Sequence, residues 1–456
     1  MSKKLVSWSV LVVCIIIVGI FFGNQYAKNL RDWISPTMNE SDTWIQNGKI
    51  DPSIPAWWEK KETELPKPVI TTTILNSEKM DKNPLLINNL SNRVYLMDKS
   101  GKELHVWDFG GEKLWNDFSL LPDGTALASI RSTNAQIRVG WFWGITARVS
   151  SWAEFLWEYE ISGSWAIAHH DAEMLPNGNI LAMVWGKIGK DEVKKYGSTS
   201  PVDIYTERIV EIDPKTNKVV WRWNSLDHMI QDVDPKVPNY GTLSKRPEKI
   251  DINYSHSQSG MIMHGNWLAY DAKNDLIYMS VYSFSEVWVI DHSTTPQEVN
   301  TGKGGRFGRW GDLVYRFGNP TAYGGTGTRL FYSSHHPSFT ASGTFLIYSN
   351  GIKASPEQST TYELSLPKEL DEKKPTLTPP EVLWSYSNPE IYFDKVGGVV
   401  KAPNGNYIIT EGDGKIWEVT RDKEVVWTHS EKPGMFWRTY VYPYGSSELN
   451  ALGIKE

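Results

Sequence analysis

The chain has 10 histidines in 456 residues, and two of them are adjacent in "HHDAEMLPNG", His169 to Gly178. Neutral imidazole can attack an electrophile, carry a proton or ligate a metal near neutral pH. The pair stands just before Pro-Asn-Gly, a strong hairpin signal when flanked by alternating apolar residues. His170 lies eight residues before the hairpin glycine Gly178. The same count reaches His335 from Gly343, in "SSHHPSF", Asn116 from Gly124 and Gly397 from Gly405. His264, in "MIMHGNWLAYD", precedes a longer turn and falls near the same place. Seven residues after the turns stand Arg131, Trp185, Asn350 and Gly412, with Tyr282 at the corresponding place after the longer turn. These residues are expected across the hairpins from the histidine register.

The elements that must position these residues recur along the chain. One half-unit is a strand, a turn and a Trp- or Tyr-bearing strand: "RVYLMDKSGKELHVWDF" at 93–109, "RIVEIDPKTNKVVWRW" at 208–223 and "KIWEVTRDKEVVWTHS" at 415–430. The other is a hairpin: "FSLLPDGTALASI", "DAEMLPNGNILAMV" and "GVVKAPNGNYIIT", with divergent copies at 267–281 and 338–349. Each composite unit holds four strands. Such units at this spacing predict an all-β, six-bladed β-propeller. The sixth blade is expected to join "WRTYVYPYG" at 437–445 to the N-terminal strand near "VITTTILN". The recurring tryptophans read as residues that pack blade on blade. Rotational pseudo-symmetry then brings His170, His264 and His335 round one axis, at one mouth of the central channel.

Composition bounds the partners. The formal net charge is −6, so there is no basic field to hold a nucleic acid. Residues Leu5–Gly23 carry no charge and follow Lys3 and Lys4. That predicts a single-pass anchor over 1–23, with the N-terminus in the cytoplasm and the remainder in the periplasm or outside the cell. Residues 24–68 read as a juxtamembrane tether and 69–456 as the propeller. The single cysteine, Cys14, lies in the anchor, so disulfides contribute nothing to the exported part.

Two chemistries suit three convergent histidines. One is metal binding, but no short His-x-His or His-x-x-x-His pair and no cysteine supports it. The other is sulfuryl or phosphoryl transfer, in which an imidazole attacks and nearby donors, Asn266 among them, hold the oxyanion.

In "HHDAEMLPNGNIL", "MHGNWLAYDAKNDLIYMS", "SSHHPSF" with "GTFLIYSNG", and "WRTYVYP", the sequence resembles the bacterial aryl-sulfate sulfotransferases over most of residues 90–443. The resemblance implies a periplasmic six-bladed propeller. It would move a sulfuryl group from a phenolic sulfate to a phenol without the nucleotide donor PAPS, and without a dissociable cofactor. A histidine becomes transiently sulfated. Carried over by motif, the nucleophile is His335, with His336 the nearest alternative. His170 and His264 are the supporting histidines, and Asn266 matches the family asparagine. His169 and Asn350 join the substrate-binding candidates. The chain departs from the pattern at Ser334, where the family has Gln, and at Tyr282, where it has a sulfate-binding Arg. Tyrosine donates one hydrogen bond but carries no charge at neutral pH. Arg131 is the candidate replacement for that charge, with a solvent-facing loop arginine as the competing reading. The rival function is a propeller that kept the pocket and lost the chemistry, acting as a membrane-tethered ligand-binding or assembly module. Insertions at 187–206 and 224–262 are expected near the mouth, where the second would select the acceptor.

Overall fold

Alternating apolar residues fold into antiparallel four-stranded meanders, because each strand can then bury one face against each neighbouring blade. A computed structural model describes residues 68–456 except 90–92, 111–113, 256, 296–297, 299–302 and 352–356. The anchor expected at 1–23, and the tether up to residue 67, lie outside the described residues. No helix among the described residues is long and apolar enough to cross a membrane.

Among the described residues, six sheets of four or five strands form the blades, beside a two-stranded ribbon. Their inner strands are Arg438–Val441 (blade 1), Leu114–Leu120 (blade 2), Ala166–Met174 (blade 3), Gly265–Asp271 (blade 4), Ser334–Phe339 (blade 5) and Gly397–Lys401 (blade 6). From blade 2 round to blade 1 the inner strands of successive blades pack on one another, and the circle closes where Leu85–Asn88 of blade 1 meets the inner strand of blade 2. The six-bladed expectation holds.

One detail of the closure differs from the sequence reading. Arg438–Val441 pairs with Leu85–Asn88, not with the strand at 69–74. Val69–Ile74 instead pairs with Val425–Lys432 as a fifth, outer strand of blade 6. The physical reason is burial. "LLIN" is buried at every position, as a strand deep inside a blade must be. "VITTTI" is exposed at five of its six positions and suits only an edge.

The tryptophans of the repeat pack the blades together, as expected. Trp107, Trp288 and Trp427 are fully buried, and Trp221, Trp223 and Trp384 nearly so. Truncating any one of these to alanine should cost about 3–5 kcal/mol, the usual range for a buried aromatic.

The closure gives a direct test. Deleting residues 437–456 removes the inner strand of blade 1, and the variant should lose cooperative unfolding by circular dichroism. Deleting residues 69–74 removes only an edge strand and should lower Tm by about 2–5 °C.

Candidate active site

The inner strands of blades 3, 4 and 5 each carry a bulge near the channel mouth. In blade 3 pairing steps from Ala182↔Ala172 to Val184↔Ala168, so the inner strand holds two extra residues around His169–Asp171. In blade 5 it steps from Ser338↔Leu346 to His335↔Tyr348, with one extra residue. A bulge of one more or one fewer residue re-aims every side chain beyond it. His170 and His264 therefore adopt left-handed backbone at φ 55°, but in blade 5 that conformation falls on His336, at φ 53°. The equal spacing from the hairpin glycines thus hides unequal backbones. The histidines reach one mouth from different local conformations.

They do meet. His170 Nε2 lies 3.2 Å from His264 Nε2, and the ring centroids are 4.9 Å apart. Tyr282 stands between His264 and His335, with its ring 5.1 Å from the first and 5.6 Å from the second. Its hydroxyl donates to the Asp394 carbonyl at 3.0 Å. Trp185 and Trp437 close the other side, 5.4 and 5.9 Å from His170.

Asn350 decides which nitrogen of His335 carries the proton. The Asn350 amide nitrogen donates to the carbonyls of Phe393 and Val396 at 2.9 and 2.8 Å. Its oxygen must then be the acceptor facing His335 Nδ1, 2.6 Å away. His335 Nδ1 therefore carries the hydrogen, and Nε2 is the lone-pair nitrogen. Burial pushes His335 down to about 3, helped by the positive potential of His264 and Arg438 and opposed by the Asn350 contact. Burial likewise holds His170 well below the ordinary imidazole range. A cationic imidazole is costly in so dry a site, so His335 stays neutral at pH 7.

A cation that the sequence reading did not single out lies in the channel. Arg438, on the inner strand of blade 1, is 1% exposed and stacks on Trp267. Its Nη1 meets Asp117 at 3.0 Å and Asp171 at 3.1 Å. Its Nε and Nη2 have no hydrogen-bond partner. Its charge lowers His170, His335 and His336 alike. Burial raises the Asp171 carboxyl to about 7, against the pull of Arg438. Glu173, further along the same strand, is raised by burial to about 8. Arg438 thus lies in the channel among acids that burial pushes toward the protonated form. The signal for Arg438 was its place on the strand that closes the ring.

The other candidates divide. His336 lies on Trp267, with centroids 4.0 Å apart, and its Nδ1 accepts from the Val399 backbone at 3.1 Å. It packs blade 5 on blade 6, while its neighbour His335 meets Tyr282. Asn266 is expected to hold substrate oxygens, but both ends of its amide are engaged in the protein. It donates to the Ser334 carbonyl at 2.8 Å and accepts from Ser280. It fixes the backbone just before His335. Arg131 is half-buried with its guanidinium 5.2 Å over Phe142. His169 stacks on Trp185, centroids 3.9 Å apart. The two insertions clasp each other: Asn253 bonds to Gly197 and Thr199, and Asn239 to Tyr196. Met261, at the end of the second, packs with Trp185, Phe142 and Ile167. Among the described residues, no three His, Cys, Asp or Glu side chains group as a metal cage.

A six-bladed propeller with neutral imidazoles gathered at one end of its channel is the class that fold and site define. The arylsulfotransferase (ASST) family model matches residues 71–435, and the chain belongs to that family. Membership supports aryl sulfotransferase activity in general, with phenolic sulfates and phenols as the substrates it implies. No curated protein matches the chain. Among solved structures, a protein of unknown function from Bacteroides caccae shares 13% identity over 78% of this chain and 98% of its own, at a TM-score of 0.45. Raptor from Chaetomium thermophilum shares 11% over 80% and 26%, at 0.39. Neither likeness bears on function.

The neutral state of His335 is measurable. Its imidazole ¹⁵N resonances should not titrate between pH 8 and 5, where an unperturbed histidine changes near pH 6.5. Its Nδ1 should carry the hydrogen throughout, and Asn350→Ala should remove that preference.

Proposed function

We propose that the protein is a PAPS-independent aryl sulfotransferase that works through a sulfohistidine at His335. The observation that carries the reading is the Asn350 contact, which leaves a neutral imidazole with its lone pair on Nε2 beside Tyr282 and His264. In the first half-reaction His335 Nε2 attacks the sulfur of a phenolic sulfate. The N–S bond forms, the S–O bond to the aryl group breaks, and a phenolate leaves. In the second half-reaction a phenol gives up its proton and its oxygen attacks the same sulfur, breaking the N–S bond. His170 and His264 hold sulfuryl oxygens or take the proton. Arg438 supplies positive potential where the family arginine is replaced by Tyr282, and its two unpartnered nitrogens, Nε and Nη2, are suited to an anion. The cycle needs no cofactor.

The charge-free segment after Lys3 and Lys4 supports a single-pass anchor in the inner membrane, with the propeller in the periplasm or outside the cell. Protease added to intact spheroplasts should then digest the propeller.

The test is an assay of the full chain in detergent with 4-methylumbelliferyl sulfate and a phenol acceptor. Release of the fluorescent phenol should require the acceptor and be abolished in His335→Ala. Asn350→Ala should lower kcat by about 10–100-fold, the scale of a lost proton-positioning contact. Because His335 is held near 3, the first half-reaction should keep its rate as pH falls from 7 to 5 and fail only as pH approaches 3. Tyr282 in place of the arginine favours one second reading, a ligand-binding or assembly module. Absence of release from folded protein across a broad acceptor panel would favour it.

A further inference from the structure

A polar contact joins two blades away from the mouth, where the hairpin turns of blades 3 and 4 meet. Asp275, in the turn after Gly265–Asp271, and His292, just beyond Glu286–Asp291, belong to blade 4. Glu211, on Ile204–Asp213, belongs to blade 3. His292 Nδ1 lies 2.7 Å from Asp275 Oδ1, and His292 Nε2 lies 3.1 Å from Glu211 Oε2. His292 and Glu211 are nearly buried, and Asp275 is half-buried. Trp221, from the outer strand of blade 3, packs on the imidazole with centroids 4.5 Å apart. Its Nε1 donates across the same seam to Thr294 Oγ1 at 3.0 Å. Tyr270 meets the imidazole edge-on, with centroids 5.6 Å apart.

Each carboxylate also accepts from other donors. Glu211 Oε1 accepts from the amide nitrogens of Asn177 and Asn179, in the hairpin turn of blade 3, at 3.1 and 2.6 Å. Asp275 Oδ1 accepts from the Tyr270 hydroxyl at 2.7 Å. A neutral imidazole has one N–H and one lone pair, so it would turn the lone pair on one of the two carboxylates. Only the imidazolium offers an N–H to each. Burial opposes that charge, but Glu211 and Asp275 overcome it and raise His292 above the ordinary imidazole value. Burial also opposes the charge on Glu211, yet His292 and the two asparagines hold its carboxyl below the ordinary range.

We propose that His292 is a protonated clamp between blades 3 and 4, and that loss of its proton to solvent as pH rises loosens the seam between them. The device is separate from the chemistry at the mouth, but it holds together the two blades that carry His170 and His264. A histidine raised in the folded state contributes stability that is complete below its unfolded value, about 6.5, and is lost as pH rises through its folded value. Glu211, lowered in the folded state, contributes stability above its unfolded value and loses it as pH falls through its folded value. The clamp therefore works from weakly acidic pH up to the folded value of His292. Above that, one of the two carboxylates is left facing a lone pair.

Two measurements on the full chain test this. In long-range ¹⁵N–¹H spectra at pH 6, both ring nitrogens of His292 should carry hydrogen, and the ring should titrate above the ordinary value of about 6.5. A lone pair on either nitrogen at pH 6 overturns the proposal, and this measurement needs neither turnover nor a variant. Asp275→Asn keeps the shape and removes one charge, so it should move the titration to lower pH; an unchanged midpoint overturns the proposal. The second measurement is stability. His292→Gln should lower Tm by about 2–5 °C at pH 6 and by about 1 °C or less at pH 9. An equal loss at both would make the ring a packing element only and overturns the proposal. At pH 6 the Trp221 indole hydrogen should also exchange with solvent about tenfold faster in His292→Gln than in the unmodified protein, as a loosened seam requires. Equal rates there overturn the loosening.

Discussion

The closure of the ring is the constraint on which the rest depends. A propeller buries each blade against two others, so it gains its full core only when the last strand joins the first blade. Here Arg438–Val441 makes that join by pairing with Leu85–Asn88. The same four residues set the chemistry of the channel, because the strand that closes the ring is also an inner strand. It carries Arg438 to Asp117 and Asp171, residues far away in sequence and on two other blades. Stability and electrostatics thus share one segment.

Desolvation then organises the site. Burial is the largest influence on His169, His170, His335 and His336, and in each it favours the uncharged ring. It has the opposite consequence for acids, keeping the Asp171 carboxyl raised to about 7. A site of neutral imidazoles is suited to nucleophilic attack and to proton movement in small steps, because no ring has to give up a resident proton before acting. Left-handed backbone at His170 and His264 costs on the order of 1 kcal/mol each. The bulges and the packing of neighbouring blades hold that strain in place, as is common where geometry serves a site.

The blades and three of their histidines were legible in the sequence, because strand alternation and Pro-Asn-Gly turns are local signals. Tyr282 and Asn350 were legible as well, since residues across a hairpin follow from its turn. Other features were not. Val69–Ile74 has the alternation of a strand but not the burial of a closing one, and only competition with Leu85–Asn88 places it at an edge. His335 and His336 differ by one position, and a single bulge residue decides which of them faces Tyr282. Asn266 matched a motif, yet its amide is used to hold the Ser334 backbone.

By itself the sequence determined the repeat, the number of blades and the set of imidazoles near one mouth. Periodicity and turn chemistry act over a few residues, and pseudo-symmetry multiplies them into an architecture. Tertiary structure alone decided which strand closes the ring, which cation enters the channel and which nitrogen of His335 bears the hydrogen. Those depend on contacts between atoms of different blades. Each is set by bulges and burial that shift a side chain by one position without changing the apolar pattern around it.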